Sequence, residues 1–448
     1  MSTVLQDRDL SLWAFFVGLL AVLLGGATML LWKGNDEEAV LGNIDPERVE
    51  ELENLPNECH TVHLIVLVPG LLAPPTSMEK TRLVLVKLAQ EENKKDATGR
   101  VVVHRSTFNL EKKSMDGILL CGERLATEVN LLLGHIAANK GTRETRTVSL
   151  SIIGNSLGGV VARAALPHIQ WSWPLQDTKN SSMVTVVPKI FCTTNTPHLG
   201  FKDAMHMELP KPVLYILERF LVAILGQTGK DLMRHKTNKV IETLASEDKY
   251  LQPLGKFQKR IAYANSFRTD FRVATGTAAF IAPDSDSPHQ TIPSFTDNFP
   301  FAVHALSTVP RQTRSEKQQP QPRSASSSRS KKDQWMRHHC EQLDALGWTK
   351  VFCDIRSELP SIQLPPLCCK GRSSLSSETS THSSWTAAQL CQKYARSDPV
   401  TPCTWYAPMA HEVLVANSEK AGSGGRVAEK GLPFVEEYAT RFLQDCIA

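Results

Sequence analysis

The stretch Val148–Ala165, VSLSIIGNSLGGVVARAA, constrains this chain more than any other. An apolar run (Val148, Leu150, Ile152, Ile153) leads into Gly-Asn-Ser-Leu-Gly, and a segment of small residues with an apolar face (Val160, Val161, Ala164, Ala165) follows. Strand, sharp turn and helix in that order are what a nucleophile elbow requires. At the apex of such a turn the backbone is strained and a hydroxyl is lifted above the sheet; Ser156 stands there. Gly154 and Gly158 lie two residues to either side, where a side chain would strike the neighbouring strand or the following helix. The unpaired N–H groups of the helix's first turn would favour negative charge at the reacting oxygen. The rival reading is a Gly-rich strand-to-helix turn with a solvent-facing Ser.

His63–Val68 (HLIVLV) is a continuous apolar run, as expected of a central strand buried on both faces. It stops at Pro69-Gly70. In folds built on such an elbow, the loop after this strand donates one N–H to an oxyanion hole and the residue after the nucleophile donates another, here Leu71 and Leu157. Strand-like runs recur at Val101–His104, Thr185–Thr194, Lys259–Asn265 and Trp348–Ile355. Helical patterns lie over Lys80–Glu91, from Cys121 to Ala138, and over Glu436–Gln444. The alternation predicts an α/β fold, a mostly parallel sheet with helices on both faces and catalytic loops at the strands' carboxyl ends.

A chain of 448 residues is long enough for one large domain with accessories. Its net charge of +4 is small and concentrated in one polar tract, so nucleic acid is not an expected partner. The 10 cysteines have no paired, metal-like spacing, and reduced thiols are expected. Leu10–Trp32 contains no charged residue and is long enough to cross a bilayer as a helix, with Trp13 and Trp32 near its ends. A cleaved signal peptide would want a basic start, whereas Asp7, Arg8 and Asp9 precede this run. The expected organisation is a tail (1–9), a transmembrane anchor (10–32), a polar stalk (33–58) and one catalytic domain (59–448). Within the domain lie a helical cap insertion (201–257), a disordered basic loop (310–332) and a Ser-rich insertion (357–403). Val213–Leu225, apolar nearly all round, suits either a core helix or a lid that dips into lipid.

Six ordered blocks carry a resemblance: HLIVLVPGLL, DGILLCGERLA, GNSLGG, TNTPHLG, GQTGKDLM and YANSFRTD. Together they resemble the putative serine esterase family of alpha/beta hydrolases, which is similar to lipid-droplet phospholipases and other lipid-ester hydrolases. The resemblance spans Val62–Thr277 and returns near the C-terminus. It implies the α/β-hydrolase fold and a Ser, acid, His order along the chain. The family commonly has His-Gly where this chain has Pro69-Gly70. Asp270 follows the Lys259–Asn265 run, where the resemblance also places the acid; Asp203, Asp231 and Asp248 follow no such run. His411 follows the last strand-like segment and precedes a final helix, as the family's histidine does, whereas His382 lies in a Ser-rich tract. His198 precedes the acid and is expected to brace the loop beside the elbow.

These residues predict a membrane-anchored serine hydrolase of lipid acyl esters, phospholipid or acylglycerol, that works without metal or cofactor. The endoplasmic reticulum or the lipid droplet is the expected membrane. A protein acyl-thioesterase and a catalytically silent scaffold are the competing readings, the latter prompted by Pro69.

Overall fold

The computed structural model describes residues 44, 52, 55, 59–95, 98–138, 147–174, 183–201, 219, 222–234, 238–270, 272–296, 299–310, 331–363, 384–395, 400–401, 404–407, 409–416 and 429–448. The anchor at 10–32, most of the stalk, most of Val213–Leu225, the tract 311–330 and His382 lie outside them. Among the described residues no helix is long and apolar enough to cross a membrane.

A ten-stranded sheet organises the chain. Its parallel part runs, in spatial order, β2 (Gly99–Arg105), β1 (Thr61–Val68), β3 (Thr147–Asn155), β5 (Met183–Thr194), β6 (Lys259–Asn265) and β9 (Thr349–Cys353). Beyond β9 the sheet turns antiparallel through β8 (Ala302–Thr308), β7 (His289–Thr291) and β11 (Ser384–Trp385), and β4 (Ser172–Pro174) pairs antiparallel with β5. A mostly parallel sheet with helices fits an α/β hydrolase. The sequence reading missed the β7–β8 pair, and Trp348–Ile355 is not the last strand. Among the described residues β11 and a small sheet of β10 (Ser361–Gln363), β12 (Val400–Thr401) and β13 (Thr404–Tyr406) follow it. These strands are too short, at two or three residues, to show a period.

The apolar runs are continuous because both faces of the central strands are covered. Val62, Leu64, Val66 and Val68 of β1 join one core with α2 (Ile118–Ala138) and α3 (Leu157–Ala165). Ile65 and Leu67 join the opposite core with α1 (Glu79–Lys95) and α7 (Leu432–Ile447). Each such side chain contributes about 1.5–3 kcal/mol by leaving water. The described end of the insertion also packs into the first core. There α4 (Gly226–Leu232), α5 (Val240–Ser246) and α6 (Asp248–Gly255) bury Leu232, Ile241, Leu244 and Leu254. Small residues set the closest helix crossing: a Cβ on Gly122 of α2 would lie 2.7 Å from that of Ala164 on α3.

Candidate active site

The turn from β3 to α3 holds Ser156 at φ 53 and ψ −127, outside the regions an L-residue favours. The surroundings impose this conformation. Ser156 N–H donates to Thr194 O (2.9 Å) at the end of β5, and Gly159 N–H donates to Ser156 O (3.2 Å). The flanking glycines are required by contact: a Cβ on Gly154 would strike the backbone of Gly158 and Gly159, and one on Gly158 would strike Val68 O and lie 2.6 Å from Pro69 O. Ser156 is buried, at 8% exposed.

Leu157 is the first residue of α3, so its N–H has no acceptor within the helix and shares the helix's positive end, about half a unit charge. The loop after β1 passes so close that a Cβ on Gly70 would lie 2.9 Å from Ser156 Cβ. Leu71 follows it, and Pro69, lacking an N–H, could not itself be a donor. A small cavity between this loop and the elbow is lined by Pro69, Gly70, Ser106, Asn109, Ser114 and Leu157.

The acid and base candidates meet. Asp270 lies in a turn after β6, entered through Phe267 (φ 60) and Arg268 (φ 53), and His411 is the second residue of the short helical turn Ala410–Val413. A bridge between Asp270 and Met409, with Ala410 N–H donating to Thr269 O (2.9 Å), ties the two loops together. His411 Nδ1 then lies 2.9 Å from Asp270 Oδ2. Asp270 Oδ1 accepts the N–H groups of Arg272 (2.7 Å) and Val273 (3.1 Å). Burial pushes the Asp270 carboxyl up, but the neighbouring His411, their hydrogen bond and the two backbone N–H groups outweigh it, and the group is held below the usual carboxylate range. Among the described residues Ser156 Oγ makes no hydrogen bond to His411, so the structure joins the acid and base candidates to each other but not to the serine.

Sequence reasoning missed Asn195. Its Nδ2 donates to Asp270 Oδ2 and its Oδ1 accepts the Asn265 N–H (2.8 Å), linking the ends of β5 and β6 to the Asp270 carboxylate. Its place beside Thr194 in the TNTPHLG block was the available signal. Asp231 is elsewhere, accepting the Ile118 N–H at the start of α2, and Asp248 opens α6; Asp203 lies outside the described residues. His198 is fully buried, with Nε2 3.1 Å from Thr193 Oγ1 and edge contacts to Phe280 and Trp348. Burial, with the charges of Arg163 and Lys350 beside it, holds its imidazole well below its ordinary value. Arg163, fully buried on α3, donates to His198 O (3.1 Å) and Leu244 O (2.5 Å), and burial lowers its guanidinium to about 9. Among the described residues no three His, Cys, Asp or Glu side chains are grouped to hold a metal ion.

A strained serine at a strand-to-helix turn and a buried carboxylate–imidazole pair, both at the carboxyl ends of a mostly parallel α/β sheet, fit the class of α/β hydrolases of the serine esterase type. Residues 58–280 match the model of the family described as Putative serine esterase (DUF676). Among curated proteins, no sequence matches the chain.

Proposed function

We propose that the protein hydrolyses lipid acyl esters, phospholipid or acylglycerol, through an acyl-enzyme on Ser156. Ser156 Oγ attacks the ester carbonyl while His411 takes its proton, and the tetrahedral oxyanion is held by the N–H groups of Leu71 and Leu157. Collapse expels the alcohol, which receives the proton from His411. Water, deprotonated by the same imidazole, then attacks the acyl-enzyme and releases the fatty acid. Asp270 orients His411 and stabilises its imidazolium. The bond between Ser156 and His411 is the one closed on substrate binding, since such contacts tighten in the Michaelis complex.

The observation that carries the reading is the positive-φ Ser156 above the first turn of α3, with the His411–Asp270 pair held by the neighbouring strand ends. The lipid substrate is supported by the uncharged run Leu10–Trp32, read as a single-pass anchor, and by the apolar Val213–Leu225. Rates of the full-length protein on phosphatidylcholine vesicles, triacylglycerol emulsion and palmitoyl-coenzyme A test it. Ester turnover that disappears in Ser156→Ala, along with fluorophosphonate labelling, is expected. Preference for the thioester would replace the substrate assignment. Folded wild-type protein that neither turns over nor labels would make the chain a silent scaffold.

A further inference from the structure

Two sequence blocks have no part in the chemistry above, Asp116–Ala126 and Gly226–Met233. In the structure they meet at Ser114, which is 2% exposed and lies in the helical turn Glu111–Met115. Its hydroxyl accepts the Leu72 N–H (2.8 Å) and donates to Glu111 O (2.6 Å). Glu111 N–H donates back to Ala73 O (2.9 Å), so the loop 71–73 is stapled to the turn 111–114 at two points. Leu72 sits at φ 52, a conformation that persists only where its surroundings hold it, and the Ser114 hydroxyl is such a hold. Fixing the peptide plane after Leu71 restricts which way the preceding plane, with the Leu71 N–H, can face.

The turn is in turn seated by α4. Thr228 Oγ1 donates to Ser114 O (2.7 Å) and accepts the Gly117 N–H (3.0 Å). Asp231, 2% exposed, accepts the Ile118 N–H (2.7 Å) on Oδ2, and Gln227 Nε2 (2.9 Å) and Asn238 Nδ2 (2.6 Å) on Oδ1. Gly117, at φ 112, permits the approach: a Cβ there would lie 2.8 Å from Gln227 Cγ.

We infer that Ser114 is a positioning residue for the oxyanion loop and that α4 seats it through Thr228 and Asp231, coupling the insertion to the hole. The inference rests on the esterase reading above. Ser114 touches no reacting atom; it acts through Leu72 on Leu71.

The test uses the full-length protein, p-nitrophenyl butyrate as substrate and an alkyl trifluoromethyl ketone, which adds a serine oxygen to form a charged hemiketal. In Ser114→Ala, kcat is expected to fall about 100-fold with KM nearly unchanged, a displacement effect on transition-state geometry. Ketone affinity should fall in parallel, and Ser114→Thr, which keeps the hydroxyl, should recover most of both. Thr228→Val should act in the same direction by about 10-fold. Folded Ser114→Ala with wild-type kcat and ketone affinity, or with a change in KM alone, overturns the inference. Should Ser114→Ala not fold, Thr228→Val decides on the same two readouts. Wild-type protein without turnover or ketone binding overturns the esterase reading itself, and this inference with it.

Discussion

His411 Nδ1 lies 2.9 Å from Asp270 Oδ2 although 141 residues separate the two in sequence. A carboxylate bound to Nδ1 fixes the tautomer and leaves Nε2 as the nitrogen that can accept a hydroxyl proton. Asp270→Asn keeps the shape of the contact and reverses its polarity. Its kcat on p-nitrophenyl butyrate is expected to fall about 10⁴-fold while the melting temperature changes little. Retention of most activity would remove Asp270 from the proposed relay.

Asn195 bonds the same carboxylate oxygen and also the backbone of Asn265, and it does so from φ 47, which an amide side chain tolerates better than most. Asn195→Ala loses both bonds and keeps the unfavourable backbone. Urea unfolding should report a loss of about 2–3 kcal/mol, and kcat should fall about 10-fold as Asp270 loses a brace. Wild-type stability in that variant would show that the strand ends hold the acid without it.

At Gly158 the limit is space, because an added Cβ would overlap the carbonyl of Val68 and crowd that of Pro69. Gly158→Ala must push the loop after β1 away from α3. A destabilisation of about 3 kcal/mol is expected, with loss of turnover, measured by thermal melting and ester hydrolysis. Ser156→Gly has the opposite sign in stability: it relieves the backbone at φ 53 and should raise stability by about 1 kcal/mol while abolishing turnover.

Acid should destabilise the protein in two stages. His198 is buried neutral with its folded value depressed, so between that value and the unfolded one, about 6.5, the unfolded chain binds the additional proton. Stability therefore falls as pH drops below about 6.5, by up to about 1.4 kcal/mol per pH unit for this group. His304, lowered to about 4 by burial and the charge of Lys393, adds to the same slope. Asp270 has a depressed folded value, so its contribution is present above the unfolded carboxylate range and lost only below about pH 4. His198→Gln should flatten the slope between pH 6.5 and 5 in denaturant titrations. An unchanged slope there would mean that His198 takes up its proton in the folded protein as readily as in the unfolded chain.

Local order carried much of this molecule in plain view. The strand-like runs mark β1, β3, β5, β6 and β9 within a residue or two, because strands covered on both faces are apolar along most of their length. The elbow was legible because its glycines answer contacts made within a few residues, together with one neighbouring strand. The strands of two or three residues, the antiparallel β7–β8 pair and the bracing roles of Asn195, Arg163 and Ser114 were not legible, since each depends on partners brought close only by the folded chain. The chain by itself determined which residue types stand after which strands. Only the tertiary structure decided that the loops carrying Asp270 and His411 bridge at Met409, and that Ser114 meets both the loop at Leu72 and helix α4. A hydrogen bond depends on distance and angle, and sequence separation specifies neither.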